Sequence, residues 1–133
     1  MVEIVYEHLE PWPENGPGLV NIPSIHIEVS ISPDVARRRA NGYLLTYVSM
    51  TLHAIEPKLV IAAPDVDRGP GAKPCWRFSL EMRLRGVGPV ATLGTIEIDA
   101  QNGEVIPLSP EQIRSIQERA DAYITLCRFS SQR

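Results

Sequence analysis

Residues 76–85 alternate without a break. Trp76, Phe78, Leu80, Met82 and Leu84 fall on one side, and Arg77, Ser79, Glu81, Arg83 and Arg85 on the other. A period of two sets an apolar row and a charged row on opposite faces of an extended strand. One face needs a core; the other meets water or a partner. Ser24 to Ile31 repeats the pattern, with Ile25, Ile27, Val29 and Ile31 set against His26, Glu28 and Ser30. Strands buried on both faces read as apolar throughout, so this alternation predicts an antiparallel sheet covered on one face only.

The remaining strand signals fit that sheet. Residues 2–9 place Val2, Ile4 and Tyr6 on one face, and Leu59-Val60-Ile61-Ala62-Ala63 is a short buried run. Gly86-Val87-Gly88-Pro89 makes a turn, after which strand character resumes over 92–98. Leu93 is out of phase with Ile96 and Ile98, which predicts a bulge near Gly94. Asp99-Ala100-Gln101-Asn102-Gly103 is a hairpin signal leading into Glu104-Val105-Ile106.

Two helices are expected. Ser32-Pro33-Asp34 supplies an N-cap, a proline at the first helical position and an acid beside the positive end of the dipole. Ala36, Ala40, Leu44, Tyr47, Val48 and Leu52 then recur at helical spacing, predicting a helix over 33–54 that stops before Glu56-Pro57. Asn41-Gly42 weakens that helix from within. The second helix opens with a capping box, Ser109 to Gln112, and carries Ile113, Ile116, Ala120, Tyr123, Ile124 and Cys127 on one stripe. Proline and glycine cluster at 11–18 and 68–74, which read as loops inside one domain. The expected fold is a single α+β domain over 1–133: an irregular Pro/Gly-rich segment over 1–23, then a core over 24–127 in which two helices pack on a curved antiparallel sheet.

The stretch from Ser32 to Ile106 resembles the PepSY-like domains. Trp76-Arg77-Phe78-Ser79-Leu80 matches their aromatic-bearing strand, and Ile98-Asp99-Ala100-Gln101-Asn102-Gly103-Glu104-Val105 matches their strand ending in an Asx-Gly turn. The resemblance covers somewhat over half the chain, and its motifs are structural. It implies a PepSY/cystatin-like architecture and a role in binding or restraining a partner such as a peptidase. The chain departs from the pattern in an extra strand before the helix, a long insertion after Ala63 and a C-terminal helix. Its N-terminus does not read as the export signal that many of those proteins carry, so none is expected.

Composition narrows the function classes. A net charge of -3 offers no basic footprint for nucleic acid. No apolar run approaches the roughly 20 residues of a membrane span. The two cysteines, Cys75 and Cys127, form no CxxC pair, and the N-terminus shows no signal peptide, so a cytoplasmic protein with reduced thiols is expected. No cofactor and no metal is expected: the three histidines show no ligand spacing, and Asp65-Val66-Asp67 is an incomplete calcium loop beside Arg68. P-loop, GxSxG and dinucleotide fingerprints are absent.

Local chemistry therefore reads mainly as structure. His26 and Glu28 share a polar strand face, Arg37-Arg38-Arg39 fits a solvated helix face, and His53 is placed by the helix reading near a C-terminus that favours its cation. No residue is assigned a catalytic role. The expected function is a non-enzymatic binding or protein-interaction module, inhibitory or regulatory, whose partner is another protein or a second copy. Its contact surface is expected at Arg77, Glu81 and Arg83, with Trp12 in the first proline loop as an anchor. The alternative is a small-molecule-binding domain or enzyme with a pocket between the sheet and helix 33–54, lined by Tyr43, Tyr47 and His53.

Overall fold

The apolar row of the alternating strand sits at the centre of the core. Trp76 and Phe78, Leu80 and Met82 are all buried, and burying a Phe, Leu or Met side chain contributes about 1.5–3 kcal/mol each. The computed structural model describes residues 2–6, 18–22, 25–63 and 73–131, with side chains described for 29–61 and 73–128. Its elements are β1 (Val2–Tyr6), β2 (Gly18–Ile22), β3 (Ile25–Val29), α1 (Pro33–Tyr47), β4 (Leu52–Ala63), β5 (Lys73–Leu84), β6 (Gly88–Asp99), β7 (Val105–Ile106) and α2 (Pro110–Ser131). The large sheet has five antiparallel strands in the order β1-β4-β5-β6-β7, and β2 and β3 pair separately. The sheet curls into a half-barrel, and the fold class is α+β.

Both helices contribute to one core. Ala36, Ala40 and Leu44 of α1 and Ile116 and Ala120 of α2 join the inward residues of β4, β5 and β6 in a single buried cluster. The capping chemistry is as expected. Ser32 accepts from the Val35 amide with Pro33 in the first turn. At α2, Ser109 accepts from the Gln112 amide at 3.1 Å, and the Gln112 side chain takes the Ser109 amide at 2.8 Å. No helix among the described residues is long and apolar enough to cross a membrane.

Two expectations are corrected. The first helix ends at Tyr47, and Leu52 already begins β4. Ser49 takes the Thr51 amide and bonds the Thr51 hydroxyl, so short hydroxyl side chains compete for backbone groups and break the helix. Val48 and Leu52 fit a helical stripe by spacing, yet Leu52 and Ala54 are inward residues of a strand. Glu56-Pro57 then acts as a bulge rather than a helix stop: the β4–β5 register shifts between Ile55 and Lys58, and Glu56 takes a φ of 53°. Proline fits there because a bulge frees it from donating to the ladder. The second correction concerns 1–23, expected to be irregular: the strand read over residues 2–9 is present as β1, paired with 59–63 of β4, but the segment also contains β2, which that reading lacks and which pairs with β3 from Gly18↔Val29 to Ile22↔Ile25. Leu19, Val20 and Ile22 form a run too short to register beside the adjacent prolines.

The bulge expected near Gly94 is present, where the β5–β6 register shifts between Ser79 and Glu81. Asp99 shapes the following turn by accepting from the Gln101 and Asn102 amides, and Gly103, at a φ of 77°, lies under Ile31.

Asn41 explains the polar interruption in α1. Its side-chain oxygen accepts the Ala54 amide at 2.9 Å, on a stretch of β4 that β1 does not reach. Asn41→Ala is expected to lower stability by about 1–2 kcal/mol, because a part-buried donor loses its acceptor. Gly42→Ala, with open space around the new Cβ, is expected to raise it by about 0.5–1 kcal/mol. Urea unfolding midpoints of the two variants should therefore move in opposite directions. An unchanged midpoint for Asn41→Ala would remove the strand tie from this account.

Candidate functional site

The outward residues of β5 carry the expected contact surface. Strand pairing extends them into rows: His53–Glu81–Thr92, Ile55–Ser79–Thr95 and Lys58–Arg77–Glu97–Ile106. The helices lie against the other face, so these rows are not covered by α1 or α2. Arg77 donates to Glu97 across the strands at 3.0 Å, both side chains being about one-third exposed or less (27% and 34%). Arg83 is ion-paired with Glu81, its neighbour two residues away on the same strand and face. Arg85 is exposed in the turn beyond. The face thus holds two guanidinium groups beside carboxylates, an arrangement suited to polar recognition.

Glu97 was missed by sequence reasoning. The bulge at Leu93–Gly94 changes the phase of β6, and only the paired register shows that Glu97 meets Arg77.

The residues of the alternative reading fall in different surroundings among the described residues. Tyr43 is half-buried, packs 5.0 Å from the Tyr47 ring and accepts the Leu108 amide through its hydroxyl. Tyr47 is exposed. His53 is exposed on β4, opposite Glu81, so its expected placement at a helix C-terminus is corrected. Ala36, Ala40 and Leu44 of α1 are buried in the same cluster as Ala54, Phe78 and Leu80 of the sheet. A cavity of about 400 Å³ lies instead between β6 and α2, lined by Leu93, Thr95, Leu108, Gln112, Ile116 and Arg119 among others. A smaller one, about 250 Å³, sits where Gln117 donates to the Val48 carbonyl after α1. Tyr43, Tyr47 and His53 line neither.

Trp12, Asp65 and Asp67 lie outside the described residues, as do the side chains of His26 and Glu28. Of the basic run, Arg37 is half-buried near Asp34, while Arg38 and Arg39 are exposed on α1. Among the described residues, no three His, Cys, Asp or Glu side chains gather in a metal-binding group. No protein-family model, curated protein or solved structure matches the chain.

Neither cysteine forms a disulfide. Burial, reinforced by the charges of Glu97 and Asp99, pushes the Cys75 thiol from its ordinary value near 9 up to about 11. A thiol held in its neutral form is a poor nucleophile. Between those two values the unfolded thiol ionises while the folded one keeps its proton, so folding stability falls as pH rises through that window. Wild type is therefore expected to lose stability relative to Cys75→Ala between pH 9 and 11 in paired urea titrations. A constant gap between the two proteins would contradict the burial of this thiol.

Proposed function

We propose that this chain is a non-enzymatic binding module that recognises a protein partner through the outer face of its large sheet. One observation carries the reading: a sheet face left uncovered by both helices presents Arg77 and Arg83 already held in place by Glu97 and Glu81. Side chains ordered before association lose less freedom on binding. Charges of both signs in adjacent rows favour a partner with a complementary mixed surface and disfavour partners of uniform charge. The resemblance of 32–106 to PepSY-like domains supports the same class of role, including restraint of a peptidase. Two cysteines outside any disulfide suit a reducing compartment such as the cytoplasm.

The test is a cross-linking capture from native lysate at low salt, comparing wild type, Arg77→Glu/Arg83→Glu and, as an α2 surface control, Arg114→Glu. A specific partner should be retained by the control and fall roughly tenfold in the double variant, the scale of a lost interfacial charge contact. Circular dichroism checks that each bait is folded. Equal capture by all three folded baits would overturn the assignment of this face.

A further inference from the structure

β6 has a strand neighbour on both sides for only part of its length. β7 pairs with Glu97 and Ile98 alone, so among the described strands nothing adds to the far edge of β6 over 88–95. The cause is local. Continuing the β7 register would bring residue 107 opposite 96 and residue 108 opposite 95, but residue 107 is a proline without an amide donor. The Leu108 amide bonds the Tyr43 hydroxyl instead, and the capping box at Ser109 then starts α2.

An edge of this kind invites another strand. Its sequence, Gly88-Pro89-Val90-Ala91-Thr92-Leu93-Gly94-Thr95, carries no charge that would repel an identical edge. A strand edge can pair antiparallel with its own copy about a two-fold axis, which makes a second copy of this chain the fitting occupant. One charged side chain does reach it. Arg119 of α2 donates through Nη2 to the Leu93 carbonyl oxygen while its Nε donates to the Ser115 carbonyl of its own helix. The other partly unpaired edge is treated alike, since Asn41 of α1 accepts the Ala54 amide of β4. Each helix thus extends one polar side chain to a strand group that no neighbouring strand serves.

We propose that Arg119 is an edge guard: it occupies the place of a missing strand on β6 and prevents this edge from pairing with the β6 edge of a second copy. Pro89 and the bulge at Leu93–Gly94 shorten the usable edge, and Arg119 holds the Leu93 carbonyl where the bulge begins. The guard lies apart from the face assigned to the partner, and its test does not depend on that assignment.

Sedimentation velocity across a concentration series reads the outcome directly. Wild type and the α2 control Arg114→Met are expected to remain monomeric, whereas Arg119→Met, which keeps an unbranched apolar stem but loses the donor, shifts toward twice the monomer mass. Arg119→Lys, which keeps a donor, should stay largely monomeric. Thr92→Lys added to Arg119→Met places like charges on the paired edges and should return the protein to monomer at low salt. Arg119→Gln serves as a second loss-of-reach variant, and circular dichroism reports folding. A folded Arg119→Met that stays monomeric overturns the proposal. So does association that Thr92→Lys leaves unchanged, a wild type that already dimerises through β6, or loss of fold in both the Met and Gln variants.

Discussion

Trp76 buries its ring among the core side chains, and a buried indole N–H needs an acceptor. It finds the Ile31 carbonyl at 2.7 Å, the residue before the N-cap of α1. The same junction is tied three more times: Ser30 and Ile31 donate to the Ala100 carbonyl, and Ala100 donates to the Pro74 carbonyl. The entry to α1, the start of β5 and the end of β6 are thereby fixed to one another. With its N-terminus anchored there, α1 lays Ala36, Ala40 and Leu44 on the sheet, and the small alanines allow close approach. The rest of the packing follows from that placement.

Because the helices share one face of the sheet, the other is left to polar residues. The same alternation that fills the core with Trp76, Phe78, Leu80 and Met82 sets Arg77, Glu81 and Arg83 outside. Core and candidate contact face are therefore two readings of one strand. Cys75 lies on the outward side as well, but burial and neighbouring carboxylates keep its thiol neutral and so a poor nucleophile.

A curled sheet that does not close into a barrel leaves strand edges behind. Here β1 covers only 59–63 of β4, and β7 covers only Glu97 and Ile98 of β6. Asn41 and Arg119 reach the uncovered stretches from the two helices. Asn41 looks like a defect when α1 is considered alone, and its position makes sense only beside β4.

Wherever a local pattern has one reading, the sequence by itself determined the element: the alternating β5, the Ser32 and Ser109 caps, the Gly94 bulge and the turn at 99–103. Where one spacing fits two structures, only the tertiary fold decided. Leu52 satisfies a helical stripe and an inward strand start equally well, and the hydroxyl bonds of Ser49 and the demand for a partner to β5 settled the matter. The identity of Arg77's partner, the filling of the space under α1 and the opening of a cavity beside α2 were likewise beyond the sequence. Each depends on the register and packing of segments far apart in the chain. Periodicity reports which way a side chain faces, but not what it will meet.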